Sequence, residues 1–156
     1  MLSRYSRREG FTLVEVMMVV AIIGMLAAIA LPNFAIMQLR AKRSEVPLNL
    51  GAITVAEMAY FQEYGSFRVA PVEPRTDAEL NTIKAKWPAS AAGFDDIGWL
   101  PDGALYGNYA VTTVNTEPPG FSAYGACDVD NDDNVVYYFS SNVEKVVIGP
   151  GMSEFY

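Results

Sequence analysis

The chain contains no histidine and only one cysteine, Cys127, among its 156 residues. Without histidine, Ser-His-Asp triads, His-based acid–base catalysis and His-containing zinc sites are excluded. One cysteine forms neither an internal disulfide nor a thiolate metal cage. Basic residues are also few, since 11 Lys and Arg face 18 Asp and Glu, which gives a net charge of −7. This balance disfavours non-specific binding to nucleic acid, and no other feature indicates a nucleic-acid partner.

Residues 1–10, MLSRYSRREG, form a short basic leader in which Arg4, Arg7 and Arg8 outnumber Glu9. Without the leader, 8 basic and 17 acidic residues remain, a net charge of −9. A basic segment before a long apolar run is typical of exported or membrane-inserted proteins. The sequence therefore predicts a membrane-directed chain whose remaining part is clearly acidic.

The run that follows the leader, residues 11–31, reads FTLVEVMMVVAIIGMLAAIAL and is followed by Pro32. As a helix, its 21 residues extend about 31 Å, which matches the hydrocarbon thickness of a bilayer. Basic residues precede this run, so the positive-inside rule places the N-terminus in the cytoplasm and the bulk of the chain outside. We predict a single membrane-spanning and assembly helix over residues 11–32.

Residues 33–64 continue with helical periodicity and predict an amphipathic helix that enters a globular head. Its apolar positions recur three or four residues apart, at Leu50, Ile53, Ala56, Tyr60 and Tyr64. Glu57 is interpreted as flanking this face. Pro32 and Pro47 are each expected to weaken or bend the helix, because proline lacks the N–H and clashes with the preceding turn. Gly65 is a typical stop signal.

Residues 65–156 predict the globular head. We interpret residues 67–74 as a loop and residues 76–86 as a short helix. Later segments are rich in Tyr, Val, Thr and Phe and are separated by turn residues, which predicts β-strands at 106–114, 121–129, 135–139 and 145–148. The expected fold class is α+β, with a long N-terminal helix packed on an antiparallel sheet of three or four strands.

Glu15 and Gly10 are the two residues that a plain membrane anchor does not explain. A carboxylate inside an apolar run is costly and marks a candidate functional site. Cleavage after Gly10 would create an α-amine on Phe11, about one helical turn from Glu15. We predict that the amine of one subunit pairs with Glu15 of a neighbour, which neutralises both charges and sets their axial register.

This N-terminus resembles the class III signal of type IV pilins and pseudopilins: a basic leader ending in Gly10, then FTLVEV and an apolar helix ending at Pro32. The resemblance implies a long S-shaped helix packed on a C-terminal antiparallel sheet. It implies that a prepilin peptidase cleaves between Gly10 and Phe11 and N-methylates Phe11. Glu15 would then serve assembly, and Pro32 would mark a helix bend.

By the same resemblance, the protein is expected to leave the inner membrane through a pilus assembly machinery. It would polymerise with copies of itself into an extracellular filament for adhesion, twitching motility or DNA uptake. Residues 45–67 are similar to type IVa pilins, and 94–99 and 106–109 to pilins of deltaproteobacterial type. The chain departs from many pilins in that Cys127 has no partner for the disulfide that closes their C-terminal loop.

A second candidate site is the D-x-D-x-D spacing of the 128–134 loop. Its candidate ligands for a structural Ca²⁺ are Asp128, Asp130, Asp132 and Asn134, because hard cations prefer carboxylate and carbonyl oxygens. The full EF-hand pattern is absent, since Asp133 replaces the turn glycine and Phe139 the bidentate Glu. A solvated turn rich in Asp and Asn is the alternative interpretation.

Other functions stay open at the sequence level. The chain resembles pseudopilins of type II secretion and minor pilins almost as well, although no Arg-Tyr-Pro-Thr type of segment follows Tyr64. A monomeric ligand-binding ectodomain on an uncut anchor, or a secretory signal cleaved near Ala30, are alternatives of another class. An enzyme is not expected, because nothing in the sequence places two carboxylates in one cleft.

Overall fold

The computed structural model describes residues 10–114 and 118–149. The chain divides after residue 37 into two compact units. Its two helices are α1 (Leu13–Arg43) and α2 (Glu45–Tyr64). Seven strands follow: β1 (Ala70–Glu73), β2 (Ala85–Lys86), β3 (Ala104–Leu105), β4 (Asn108–Val114), β5 (Gly120–Cys127), β6 (Val136–Ser141) and β7 (Val147–Ile148).

Helix α1 has 31 residues, and none of them is buried. Within the described residues, its apolar part is the one helical stretch long and apolar enough to cross a bilayer, with a mean hydropathy of 2.6. The helix continues through Pro32 without interruption. The bend expected at Pro32 therefore remains a prediction, whereas the helical conformation of the apolar run is confirmed.

A single turn residue, Ser44, separates α1 from α2. It lies three residues before Pro47, in the turn whose carbonyl groups a proline ring displaces. Ser44 keeps helical dihedral angles, with a φ of −64° and a ψ of −15°, so the bend expected at Pro47 stays a prediction. Helix α2 ends at Tyr64, and Gly65 caps it with a φ of 69° while its N–H donates to the carbonyl of Phe61 at 2.8 Å. The predicted stop signal is confirmed.

The main sheet has five antiparallel strands in the order β1-β4-β5-β6-β7. The expected three or four strands were too few, because β1 forms where residues 67–74 were predicted to be a loop. β1 pairs with the outer edge of β4, with an irregularity between Ala70 and Glu73. Proline tolerates such an edge position, where Pro71 does not need to donate into the sheet.

The short helix expected over residues 76–86 was wrong. One turn of 3-10 helix covers Asp77–Glu79, and the chain then extends into β2, which pairs with β3 in a separate two-stranded sheet. Thr76 and Glu79 form a capping box, which satisfies the turn's first N–H groups without requiring a longer helix.

The head's core lies between α2 and the sheet, where the helix contacts β5 and β6. Helix α2 contributes four buried side chains, at Val46, Leu50, Ile53 and Glu57. Glu57 is fully buried, so its interpretation as a residue flanking the apolar face was wrong. Its spacing explains this result, since Glu57 lies four residues after Ile53 and therefore on the same face. A long helix packed on a small antiparallel sheet confirms the α+β fold class.

Candidate functional site

The Gly10–Phe11 bond lies in non-helical chain, two residues before α1 begins. Both residues are exposed, and the Phe11 side chain retains 84% of its full accessibility. A protease requires such an extended, accessible segment, because a helical bond is occupied by its own hydrogen-bonded turn. The position suits the expected cleavage. Residues 1–9 of the leader lie outside the described residues.

Thr12 and Glu15 form a capping box at the start of α1. The backbone N–H of Thr12 donates to Glu15 Oε2 at 2.9 Å, and its hydroxyl donates to the same oxygen at 2.7 Å. In return, the N–H of Glu15 donates to the Thr12 hydroxyl at 3.3 Å. These bonds satisfy N–H groups that the first helical turn cannot satisfy by itself.

The amine-pairing hypothesis gave Glu15 a role only between subunits. The capping box gives it a role within its own chain as well. Both bonds from Thr12 reach Oε2, and a carboxylate offers about four acceptor positions. Glu15 is therefore oriented by Thr12 and still has capacity for a cationic partner. A carboxylate near a helix N-terminus is further stabilised by the positive end of the helix dipole.

The apolar side chains of α1 are exposed along its length. The largest exposed fractions in its first half belong to Leu13 at 75% and Met25 at 74%. Gly24 has open space where a Cβ would lie. Together with Ala27, Ala28 and Ala30, this glycine lets another helix approach closely. Such a surface requires lipid or other helices around it, because contiguous exposed apolar surface is costly in water.

The second candidate site lies in the turn between β5 and β6. Carboxylate oxygens of Asp128, Asp130 and Asp132 approach within 4.8 Å of one another. This spacing fits one Ca²⁺, whose oxygen ligands lie about 2.3–2.6 Å from the ion. Asn134, the fourth predicted ligand, instead donates from its side-chain amide to Asp132 Oδ2 at 2.9 Å. The structure therefore brings three of the four predicted residues together as potential ligands.

The turn is held by its own hydrogen bonds. Asp128 Oδ1 accepts the N–H of Asn131 at 2.7 Å, and Asp132 Oδ1 accepts the N–H of Asn134 at 2.9 Å. Asn131 and Asp133 adopt φ values of 59° and 63°. Asp133, which stands where an EF-hand has glycine, thus adopts the left-handed conformation that this position requires.

Two carboxyl groups of this turn differ in their affinity for protons. Burial raises the pKa of Asp130, and the charge of Asp132 raises it further. Hydrogen bonds from Asn134 lower the pKa of Asp132. A carboxyl group with a raised pKa gains from a nearby cation, because the cation compensates for lost hydration and like-charge repulsion.

Comparison with known proteins identifies the N-terminus. Residues 5–31 match the family model described as "Prokaryotic N-terminal methylation motif". The chain is 55% identical over 62 residues to "Type IV major pilin protein PilA" of Myxococcus xanthus, which covers 39% of this chain and 28% of that protein. It is 29% identical over 146 residues to "Type IV major fimbrial protein FimA" of Dichelobacter nodosus, covering 91% of this chain and 78% of the relative.

The chain is similar to type IV major pilins and fimbrial proteins, and its N-terminus carries the N-terminal methylation motif. A "Fimbrial protein" of Neisseria meningitidis serogroup B is 40% identical over 113 residues, 72% of this chain and 62% of that protein. The aligned stretches thus span less than two thirds of the Myxococcus and Neisseria relatives. No solved structure matches the chain significantly. The names of these relatives are those of pilins and fimbrial proteins.

Sequence reasoning missed the roles of two residues, Thr12 in the site and Glu57 in the core. Thr12 was not assigned a role, although the spacing of Thr12 and Glu15 is that of a capping box. Glu57 was placed outside the core, although it follows Leu50 and Ile53 at helical spacing. Both signals were present in the printed sequence, but apolar periodicity alone does not reveal them.

Proposed function

We propose that this chain is the structural subunit of a type IV pilus. In this proposal, α1 anchors the precursor in the inner membrane with its N-terminus in the cytoplasm. The subunit then polymerises through α1 into an extracellular filament that acts in adhesion, twitching motility or DNA uptake. The carrying observation is that α1 buries none of its 31 residues within its own chain.

Processing precedes assembly in this proposal. A prepilin peptidase removes residues 1–10 and methylates the new N-terminus at Phe11, which lies in the accessible non-helical segment before α1. The inner-membrane assembly machinery then extracts the processed subunit. The match of residues 5–31 to the N-terminal methylation motif supports these steps.

Helix packing and the charge pair provide the assembly force. The apolar helices leave lipid rather than water, so the hydrophobic effect contributes little to their association. Close packing around Gly24 and the neighbouring alanines gains van der Waals contact. The amine of Phe11 in one subunit meets Glu15 of another, where Thr12 already orients the carboxylate.

The intact mass of the protein in the fraction sheared from the cell surface of the native host tests the proposal. A chain that begins at methylated Phe11 and is abundant in that fraction supports a surface pilin. The same processed chain confined to the cell envelope instead indicates a pseudopilin or a minor pilin. A chain that still carries residues 1–10 contradicts the processing step and favours a plain anchored ectodomain.

Two substitutions at Glu15 separate its charge from its capping role. We expect Glu15→Ala to leave cleavage intact and to abolish surface filaments, because it removes both. Glu15→Gln retains the capping geometry, since glutamine serves equally well in the box, but removes the charge. If the charge sets the register, this variant also fails to assemble. Normal filaments from Glu15→Gln would show that capping, not charge pairing, is what Glu15 supplies.

We also propose that the 128–134 turn binds a structural Ca²⁺ through Asp128, Asp130 and Asp132. The ion would hold the turn between β5 and β6 in place of the missing disulfide, since Cys127 has no partner cysteine. The spacing of the three carboxylates supports this proposal. The alternative, a solvated turn held by the bonds to Asn131 and Asn134 alone, predicts no response to calcium.

A further inference from the structure

A basic cluster occupies the last turn of α1. Arg40, Lys42 and Arg43 are three of the eight basic residues that remain beyond the leader. The other five are spread between positions 68 and 145. Positive charge is therefore concentrated at one point of an otherwise acidic chain, which calls for an anionic partner at that point.

The position of the cluster along α1 corresponds to the depth of lipid head groups. Exposed apolar side chains continue past Pro32, at Phe34 and Met37. The apolar surface therefore continues past the 11–32 span that the sequence predicts. With the carboxylate of Glu15 in the polar layer on the cytoplasmic side, residues 16–37 cross the hydrocarbon; they extend about 33 Å as a helix, which matches its thickness of roughly 30 Å. Arg40 follows Met37 by three residues, or about 4.5 Å of helical rise, which lies within the polar layer of a bilayer.

Arg40 and Arg43 line a groove of about 370 Å³ in the head. Its other lining residues are Ser44, Pro47, Tyr138 and Ile148. The groove thus combines two guanidinium groups with apolar walls, which suits a phosphate attached to a glycerol backbone. Arginine pairs with phosphate through parallel hydrogen bonds. Both arginines already have protein contacts, but a guanidinium has five N–H donors and can bind a phosphate in addition.

Contacts of Glu45 offset its negative charge next to the basic cluster. Glu45 is the nearest acidic residue along the chain, and its carboxylate accepts the N–H of Tyr106 at 2.8 Å and pairs with Lys84 at 3.2 Å. Lys42 places its ammonium group 5.3 Å from the Tyr106 ring centre. Glu45 thus brings a further cation, Lys84, to the same end of α1. The charge of Lys84 offsets the negative charge of Glu45 there.

We propose that the groove lined by Arg40 and Arg43 binds the phosphate of an anionic phospholipid in the leaflet on the exported side of the inner membrane. The bound lipid fixes the depth of α1 in the bilayer until the subunit is extracted. Extraction into a filament must then break this contact. The inference rests on the proposed membrane insertion of α1.

Spin-labelled lipids test this inference on the full chain, reconstituted into vesicles of phosphatidylcholine and phosphatidylglycerol. Electron paramagnetic resonance measures the fraction of each labelled lipid that the protein immobilises. We expect the wild-type chain to prefer phosphatidylglycerol and Arg40→Gln/Arg43→Gln to lose most of that preference. The expected loss is about fivefold per charge, the equivalent of about 1 kcal/mol per basic residue near an anionic surface.

Lys86→Gln/Lys145→Gln is the matched control, because it removes the same charge from exposed positions that do not line the groove. It is expected to keep the preference. Leader arginines are common to all variants, so their contribution cancels in the comparison. A wild-type chain without preference, or a control that loses it equally, would overturn the inference.

Further outcomes separate this inference from the proposed function. A chain that does not remain with the vesicles would refute the membrane anchor itself. Normal lipid preference combined with loss of surface filaments in Arg40→Gln/Arg43→Gln would assign the arginines to contacts between subunits. That result would overturn lipid binding while leaving the pilus subunit proposal intact.

Discussion

Glu57 is a carboxylate that the head encloses completely. Its Oε2 accepts the N–H of Arg68 at 3.0 Å, which ties the segment after α2 to the helix. Its Oε1 is buried and has no hydrogen-bond partner among the described residues. Burial therefore raises the pKa of Glu57, while the bond from Arg68 lowers it to a smaller extent. The charged form is disfavoured in the folded state.

Glu57→Gln is expected to stabilise the head at neutral pH. A raised folded-state pKa means that ionisation of Glu57 costs stability above its ordinary pKa, and this cost disappears as pH falls and both states become protonated. Glutamine accepts the Arg68 bond without the charge. Thermal melting of both proteins should show a higher Tm for the variant at pH 7 and a converging Tm near pH 4. A constant difference across this range would contradict the effect of ionisation.

Cys127 is expected to resist thiol reagents in the folded protein. The residue is 1% exposed, and burial raises the pKa of its thiol to about 12. Thiolate, the reactive form, is therefore scarce at neutral pH. Alkylation followed by mass spectrometry should show modification only as rapidly as the protein unfolds in denaturant. Fast labelling in native buffer, or a disulfide between two subunits, would show that Cys127, at the end of β5, becomes exposed without global unfolding.

Val46 of α2 packs closely against two glycines, Gly125 in β5 and Gly107 in the bend before β4. A Cβ at Gly125 would lie 2.7 Å from one methyl group of Val46, and a Cβ at Gly107 would lie 2.7 Å from the other. The two glycines thus leave a recess that receives the helix. Any side chain larger than hydrogen at these positions must push the helix outward or distort the strand.

Gly125→Ala is expected to destabilise the head by about 1–3 kcal/mol, the usual range for overpacking a well-filled core. Gly51→Ala is the contrasting variant on α2. A Cβ there meets nothing within 4 Å, so the substitution should stabilise the protein by up to about 1 kcal/mol through helix propensity. Chemical denaturation of both variants measures these changes. Equal effects of the two substitutions would contradict the close approach at Val46.

Calcium is expected to raise the melting temperature of the protein if the 128–134 turn binds it. A ligand that binds only the folded state at 100 times its Kd contributes about 2.7 kcal/mol. Asp130→Asn/Asp132→Asn should abolish the response to calcium and chelator. Asp102→Asn, in another exposed loop, serves as the control and should retain it. An unchanged Tm in calcium and in chelator would favour the solvated turn.

Elements that are specified locally could be predicted, and elements that depend on distant partners could not. Helix α2 ends at Tyr64 and is capped by Gly65 as predicted, because a left-handed cap is a local property of glycine. Strands β4 to β6 are rich in β-branched and aromatic residues and were also anticipated. β1 was missed because its two-proline environment indicates a loop, and only pairing with β4 makes it a strand.

The same contrast between local and long-range determinants applies to the candidate sites. Gly10, Phe11 and Glu15 stand out from the sequence because a short motif carries them. Asp128, Asp130 and Asp132 were also grouped correctly, since a tight turn necessarily brings alternate residues together. The groove of Arg40 and Arg43 was not foreseen, because Tyr138 and Ile148 join it from strands about a hundred residues away.

Without residues 1–10, as in the proposed processed subunit, the chain carries a net charge of −9, because these residues include three arginines and one glutamate. Filaments built from such subunits would repel one another at neutral pH and low salt. We expect them to stay dispersed at pH 7 and to bundle as the pH falls to or below about 4.5, the pI of the full chain, since loss of the basic leader lowers the pI. Light scattering and electron microscopy across this range measure the effect. Bundling that is independent of both pH and salt would contradict an electrostatic cause.

Neither edge strand of the main sheet is well suited to pair with a strand of another molecule. β7 has only two residues, and β1 contains Pro71 and runs into Pro74, so neither edge offers a long row of free donors to another strand. In the proposed membrane-anchored precursor, short and proline-blocked edges would limit strand pairing between the heads of crowded subunits, and with it amyloid-like aggregation. Polymer growth would then be left to α1, where the proposed processing and extraction control it.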